Sequence, residues 1–300
     1  DTDNRDHAVL LVENQNGFLV KDLSVSIQNL KEAFGEQHDG FYVKGMPYYG
    51  KVDGVFVNDS DNVTVEGVEA SGANKAGIRF GSTHNSVSNI SLPGWGRPRS
   101  VSNLIAGKAP GYTFSSLNLG ENNKVLNSNT HNNRVAGVQF SYQTNILIEG
   151  TTTSENGHKL NGSTGYGFAS EAGSYNNGIV FRNNTSTYNY RKGLDIHDGD
   201  RILIENNISY GDRLLGISVY NRNFKMENVV IRNNVVTQDK TNRLVRDDLK
   251  VDGKFTHGHD YLQYEAIHLQ TNEKSQDLSA DGAVGYFEIS NNRIQDLDSS

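Results

Sequence analysis

The sequence of 300 residues contains no cysteine. Its fold therefore cannot depend on disulfide bonds, which is compatible with export and equally with a cytosolic location. The sequence also lacks any apolar run near the ~20 residues of a membrane-spanning helix, so we expect no membrane span. It shows no signal peptide and begins with Asp1 rather than methionine. We therefore expect a processed or trimmed product that could lack an N-terminal cap.

Positive charge is scarce as well, because 28 lysine and arginine residues stand against 35 acidic ones and the formal net charge is −7. A general nucleic-acid-binding protein needs a basic surface to displace counterions, so the charge argues against a nucleic-acid partner. Hydrophobic residues make up only 35% of the chain, too few for a thick layered core, whereas glycine is abundant with 31 residues. That composition is typical of a solenoid, in which each repeat buries a few side chains against its neighbours.

The sequence contains an internal repeat. In each copy a glycine, once replaced by alanine, is followed by residues that alternate between apolar and other types. The eight copies begin at Gly54, Gly77, Gly111, Gly137, Gly167, Gly193, Gly216 and Ala266. The first and third residues after the glycine are apolar in every copy except at Ser170, so each copy is predicted to be a half-buried strand.

The spacing of the repeat indicates the fold. Successive glycines mostly lie about 20 to 30 residues apart, the period of a β-helix whose turns stack at the ~4.8 Å spacing of a sheet. The intervals from Gly77 to Gly137 and from Gly216 to Ala266 are longer and carry an extra turn or a long loop. We predict an all-β fold, a right-handed parallel β-helix (solenoid), as a single domain over residues 1–300. Long loops near 33–51, 92–100 and 240–264 break the repeat, and such insertions often build a binding site.

Asparagine pairs follow the second strand of several repeats. They begin at Asn183, Asn206, Asn233 and Asn291. Asparagine tolerates a left-handed backbone and bonds to adjacent backbone groups, so stacked copies are predicted to form a ladder. The stretches 183–186 and 207–209 also read as glycosylation sequons, but the composition produces such matches by itself, and we favour the ladder.

Chemistry-bearing residues gather where the strands are stacked in register. Asp195 and His197 share one rung, meaning one turn of the β-helix, and both are predicted to face outward. Glu171 lies one rung before them, Tyr220 lies one rung after, and Lys192 directly precedes the glycine of their rung. The alternative is that these residues belong to an ordinary solvent-exposed face of the β-helix, with Asp195 paired to a nearby cation. The clustering on consecutive rungs favours a functional site.

These residue types suit proton chemistry on an acidic sugar polymer, which a groove along stacked strands could bind. Removing the weakly acidic C5 proton of a uronic acid needs a base, a group that neutralises the carboxylate and an acid. His197 could be the base or the acid, and Tyr220 is a plausible partner. Lys192 or Arg79 could pair with the substrate carboxylate. Asp195 could hold that carboxylate in a protonated form or orient the imidazole. The further candidates for substrate binding are Glu171, Gln139, Arg79, Arg222, His268 and Asp198.

Two aspartate pairs raise the question of a metal. Asp59-Ser60-Asp61 and Asp198-Gly199-Asp200 leave calcium possible, but turn aspartates are common and neither stretch has the spacing of an EF-hand loop. We expect that no cofactor is required.

The stretch from Lys192 to Asp198 resembles the Gly-x-Asp-Pro-His segment of the mannuronan (alginate) C5-epimerases, which are secreted or periplasmic parallel β-helix enzymes. The resemblance implies that Asp195 and His197 are catalytic and that Tyr220 is a further polar catalytic residue on the following rung. It also implies an acidic polysaccharide as partner and a secreted, periplasmic or extracellular location.

The chain departs from that family pattern at two positions. Ile196 replaces the proline, and an inward isoleucine suits a core. Lys192 replaces a tyrosine that some members carry, so Tyr220 or Tyr190 would have to take its acid or base role.

Several functions therefore stay open. A polysaccharide lyase, which cuts the chain by β-elimination, stands beside the epimerase. A tailspike-type glycoside hydrolase would use Asp195 with Glu171 or Asp198 as a pair of carboxylates. A non-catalytic sugar-binding adhesin would need no turnover at all. The sequence does not fix the oligomeric state.

Overall fold

The computed structural model describes residues 7–27, 52–82, 118–157, 164–171, 174–221, 226–245, 250–251, 254–255, 264–271 and 285–297. Within these ranges the only helical segment is a 3-10 helix at Lys240–Asn242. No helix in the described ranges is long and apolar enough to cross a membrane.

Nearly all described strands lie in three parallel sheets, and each rung contributes one strand to each sheet. Sheet one consists of β1 (His7–Glu13), β4 (Val52–Asn58), β7 (Ala76–Gly81), β11 (Ala136–Phe140), β14 (Tyr166–Ser170), β17 (Lys192–His197), β20 (Leu215–Tyr220) and β25 (Glu265–Gln270). Sheet two consists of β2 (Leu19–Lys21), β5 (Thr64–Glu66), β9 (Lys124–Leu126), β12 (Gln143–Glu149), β15 (Asn176–Arg182), β18 (Asp200–Glu205), β21 (Asn228–Arg232) and β26 (Tyr286–Ser290), with β8 (Gly120–Glu121) also paired to β12.

Sheet three consists of β3 (Ser24–Ser26), β6 (Glu69–Ser71), β10 (Asn129–His131), β13 (Thr152–Ser154), β16 (Thr185–Thr187), β19 (Ile208–Tyr210), β22 (Val235–Asp239) and β27 (Arg293–Leu297). A short antiparallel pair, β23 (Lys250–Val251) and β24 (Lys254–Phe255), stands outside the stack. The predicted all-β parallel β-helix is confirmed.

The inward residues of the three sheets form one continuous core. In sheet one these are the first and third residues after the glycine, as predicted, for example Leu194 and Ile196, which are fully buried. Phe181 of sheet two packs against Phe140 and Phe168 of sheet one, with ring centroids 6.0 and 5.7 Å apart. Burying each such side chain stabilises the fold by roughly 1.5–3 kcal/mol.

The repeated glycine of sheet one is explained by close approach between rungs. A Cβ on Gly193 would lie 2.6 Å from the carbonyl oxygen of Gly216 on the next rung. The same relation holds along the column, where a Cβ on Gly54 would lie 2.5 Å from the oxygen of Gly77. Any side chain at these positions would push neighbouring rungs apart.

One of the eight predicted strands does not lie between its predicted neighbours in sheet one. The prediction that the segment beginning at Gly111 forms a rung between Gly77 and Gly137 is wrong, because β7 pairs directly with β11. Residue 111 itself lies outside the described residues. The long interval therefore holds an insertion rather than an extra rung. The structure adds a first rung, β1, which has no glycine signature and pairs with β4.

The predicted asparagine ladder is confirmed on the turn between sheets two and three. Each Oδ1 accepts bonds from the backbone N and the Nδ2 of the asparagine on the preceding rung, at 2.9–3.0 Å. The ladder runs through Asn184, Asn207, Asn234 and Asn292. The asparagine before each of them has a positive φ, 57° at Asn183. Asn184 and Asn207 are each 1% exposed, so these two sequon asparagines are buried in the ladder.

A second ladder, between sheets three and one, ends on a carboxylate. It runs through Asn133, Asn156 and Asn189 to Asp212, whose Oδ1 accepts bonds from the backbone N and the Nδ2 of Asn189 at 3.0 and 2.8 Å. Ser209 donates to Oδ2 of Asp212 at 2.7 Å. Burial raises the pKa of Asp212 from 3.8 to about 6, although these hydrogen bonds act in the opposite direction.

We predict that Asp212→Asn removes a pH-dependent loss of stability. The folded-state pKa lies above the unfolded one, so the contribution of Asp212 to stability is complete below pH ~4 and is lost as the pH rises through ~6. The loss amounts to at most about 3 kcal/mol. Urea unfolding should be measured between pH 4 and 8. The free energy of unfolding of the variant should exceed that of the wild type only toward pH 8. An equal offset at all pH values would contradict this assignment.

Candidate functional site

The clustered polar residues of sheet one form a connected group around β17. Asp195 lies at its centre, with Oδ1 accepting a bond from Nζ of Lys192 at 2.7 Å and Oδ2 lying 2.5 Å from Nε2 of His197. The hydroxyl of Tyr220 is hydrogen-bonded to the same Nε2 at 2.6 Å. Lys192 also donates to Oγ of Ser218 at 3.3 Å. The four residues singled out from the sequence as catalytic are therefore in direct contact.

The site is enclosed rather than spread on a solvated face. Asp195 is 0% exposed and Lys192 and His197 are each 7% exposed, while Tyr220 is half-buried. Burial alone would raise the pKa of Asp195, but the charges of His197 and Lys192 together act more strongly and hold that pKa below its ordinary value. Asp195 is thus held as a carboxylate, which stabilises a positive charge on either partner.

A serine fixes the backbone that carries His197. Ser170 is the polar exception among the inward positions, and its Oγ accepts a bond from the backbone N of His197 and donates to its carbonyl oxygen, both at 2.8 Å. The pairing of β14 with β17 ends at Ala169 and Asp195. The serine side chain therefore takes over where the backbone ladder stops, and it connects the rung before the site to its histidine.

A repeated distortion turns the residue before each glycine toward the outer face of sheet one. At Gly165 and Tyr166 two consecutive backbone N–H groups donate to one carbonyl on the preceding rung, that of Val135. Arg191 and Lys192 share the carbonyl of Gly165 in the same way, at 2.8 and 3.2 Å. Two residues opposing one is the arrangement of a β-bulge, which re-aims a side chain.

The bulge brings a residue to the site that the sequence analysis missed. Tyr166 is paired in register with Lys192, and its ring lies edge-on to that of His197 with centroids 6.3 Å apart. Nζ of Lys192 lies 6.0 Å from the ring of Tyr166 and 5.0 Å from that of Tyr220. The histidine thus has a tyrosine on the rung before it and another on the rung after. The signal was Tyr166 standing directly before Gly167, in the same position as Lys192.

Other predicted substrate-binding residues lie along the same column. Arg79 is three rungs before Asp195 and is 4% exposed. Its Nε lies 2.6 Å from Oδ2 of Asp53 and its guanidinium stacks 3.5 Å above the ring of Phe56. Gln139 lies on the next rung toward the site and is 7% exposed.

The remaining predicted residues are more distant or differently engaged. Glu171 follows β14 directly, and its backbone N donates to the carbonyl of Phe140. Asp198 is buried with a φ of 65°. His268 is two rungs after Asp195 and contacts Glu265 and Gln270. Arg222 lies outside the described residues. Tyr190, the alternative acid or base, packs in a separate cluster with Leu214, Leu215 and Leu244.

Two of the aspartates considered for calcium, Asp61 and Asp200, accept hydrogen bonds from backbone groups. Oδ1 of Asp61 accepts a bond from the backbone N of Glu121 at 2.8 Å, and Oδ1 of Asp200 accepts from the backbone N of Glu227 and Asn228 at 2.8 and 2.9 Å. Across the described residues no group of three or more histidines or acids is close enough to hold a metal ion.

We predict that Asp195→Ala is strongly destabilising, because it leaves the buried charge of Lys192 without its carboxylate. The expected loss is about 3–5 kcal/mol of unfolding free energy in urea. The double variant Lys192→Met with Asp195→Leu should recover most of that loss. Glu205→Ala, which breaks a more exposed pair with Arg232, should cost less than about 1 kcal/mol. Equal losses for the Asp195 and Glu205 variants would contradict the prediction.

Comparison with known families gives one match. The family model described as the right-handed beta helix region matches residues 34–208 and 116–272, so the two overlapping matches cover well over half of the chain. No curated protein and no solved structure matches the chain. The family match agrees with the stack of three parallel sheets and with the predicted handedness. The chain belongs to the family of right-handed β-helix proteins.

Proposed function

We propose that this protein modifies a uronic-acid polymer by removing the C5 proton, most closely in the manner of a mannuronan C5-epimerase. The observation that carries the proposal is the series of side-chain contacts around His197. Its Nε2 is hydrogen-bonded to the hydroxyl of Tyr220 and lies 2.5 Å from Oδ2 of Asp195, and Asp195 in turn accepts a bond from Lys192. The right-handed β-helix is common among polysaccharide-modifying enzymes, which supports the class of substrate.

The proposed chemistry starts at Tyr220, which is more exposed than the residues behind it. Its hydroxyl gives a proton to Nε2 of His197, and the carboxylate of Asp195 stabilises the imidazolium that forms. The resulting phenolate removes the C5 proton of the sugar. Lys192 contributes positive charge near the substrate carboxylate as that group takes up negative charge. These proton transfers require no cofactor.

The fate of the intermediate separates an epimerase from a lyase. If an acid returns a proton to the opposite face of C5, the sugar is epimerised. If the glycosidic oxygen at C4 is protonated and leaves instead, the chain is cut and a double bond forms between C4 and C5. Tyr166, one rung before His197, is our candidate for returning the proton, which favours epimerisation. The lyase is the alternative on the same site.

Two other functions are less well supported. A glycoside hydrolase needs two carboxyl groups that face the substrate, whereas Asp195 is 0% exposed and its carboxylate contacts Lys192 and His197. A sugar-binding adhesin has no need of a buried histidine between a carboxylate and a phenol. We further propose that the protein acts outside the cytoplasm, in the periplasm or after secretion, where such polymers occur.

The proposal predicts that Tyr220→Phe lowers kcat on polymannuronate by roughly 10²–10⁴-fold, because the base loses its hydroxyl. Reaction should be followed by proton NMR of the sugar ring and by the absorbance of unsaturated products, which report epimerisation and elimination respectively. Tyr210→Phe is the matched control, since Tyr210 packs on Tyr188 in sheet three and should retain wild-type activity.

Two results would reject the proposal. One is the absence of both signals with polymannuronate, polyguluronate and polygalacturonate. The other is full activity of the Tyr220→Phe variant.

A further inference from the structure

Gln139 is a buried amide that the fold leaves incompletely bonded. The residue is 7% exposed, and its Oε1 has no hydrogen-bond partner. A buried polar group without a hydrogen-bond partner destabilises the fold. Gln143, four residues later and 1% exposed, shows the usual arrangement. Its Nε2 donates to the carbonyls of Ser141 and Tyr142, and its Oε1 accepts from Asn123.

Gln139 lies in the same column of sheet one as Asp195. In register, Gln139 is followed by Ala169 and then by Asp195 on successive rungs. The amide is therefore two rungs, or ~10 Å, from the carboxylate. Ala169, which lies between them, carries only a methyl group and is 2% exposed, so the side chain of no larger residue separates Gln139 from Asp195 in this column.

The surroundings of the amide indicate a neutral ligand group. On its other side Gln139 is paired in register with Arg79, whose guanidinium is paired with Asp53. An amide offers a donor and an acceptor, and rotation about its last bond exchanges the two. A sugar hydroxyl, which is both donor and acceptor, can bond to the amide in either orientation, whereas a carboxylate can only accept from Nε2.

We propose that Gln139, two rungs before Asp195 with only Ala169 between them, forms a subsite that binds a hydroxyl group on the sugar unit next to the reacting one. That the polymer passes His197 rests on the proposed function. That Gln139 binds a hydroxyl group does not depend on it. The polymer would run along the stacking direction of sheet one, with neighbouring sugars on neighbouring rungs.

The test combines affinity and stability for Gln139→Leu and for the control Gln143→Leu. A mannuronate hexasaccharide and the neutral hexasaccharide mannohexaose are titrated calorimetrically in a Tyr220→Phe background, so that neither is consumed. Gln139→Leu should weaken binding at least roughly tenfold while leaving the thermal midpoint unchanged or raised, because an unsatisfied group is removed. Gln143→Leu should lower the midpoint, because its bonded partners lose their hydrogen bonds.

The outcomes separate the subsite from the proposed function. Unchanged affinity in Gln139→Leu, a fall in its midpoint equal to that of Gln143→Leu, or no binding of either hexasaccharide to the background protein would overturn the subsite. Binding that depends on Gln139 together with no reaction on any polyuronate would leave the subsite standing and reject C5 proton abstraction.

Discussion

Neighbouring rungs approach each other closely at the glycines of sheet one. A Cβ added to Gly193 would lie 2.6 Å from the carbonyl oxygen of Gly216, and a Cβ added to Gly167 would lie 2.7 Å from the carbonyl oxygen of Gly193. This contact can form in only one register, because a shift by one residue would bring a larger side chain against the oxygen and turn the core residues outward. The asparagine ladders add a second constraint, since each buried amide bonds to the rungs on either side. The register of the whole stack follows from these two features.

Register in turn determines which side chains meet. Asp195, His197 and Lys192 share β17. The strand pairing of sheet one places Tyr166 on the rung before them and Tyr220 on the rung after. A buried carboxylate would be unfavourable on its own, but the contacts of Asp195 with Lys192 and His197 offset the burial. A buried site on rigid strands is suited to hold the side chains of a proton transfer in place.

Much of this arrangement follows from the sequence, because a solenoid repeats one local pattern. The alternation after each glycine identified the core face, and alignment of the glycines brought Asp195, His197 and Tyr220 onto neighbouring rungs. The segment at Gly111 matched the same pattern and still does not stack between its neighbours. A short alternating motif does not tell whether the flanking chain completes a rung, so an insertion can imitate one.

The parts that could not be predicted depend on details between rungs. The bulge that turns Tyr166 and Lys192 outward arises from shared backbone hydrogen bonds and leaves no mark in the alternation. The serine at position 170 could be recognised as a break in the apolar pattern, but its bonds to the backbone of His197 could not. The near-complete burial of outward residues was also not foreseen, since alternation separates the two faces of a strand without showing what covers the outer one.

The central claim is that the site takes a proton from C5 of a uronic acid. Reaction with polymannuronate in D₂O, followed by NMR of the purified polymer, tests it most directly. We expect either deuterium at C5 of epimerised units or, for elimination, unsaturated ends that have lost the C5 proton. A polymer that is cut or left unchanged while every C5 retains its original proton would contradict the account.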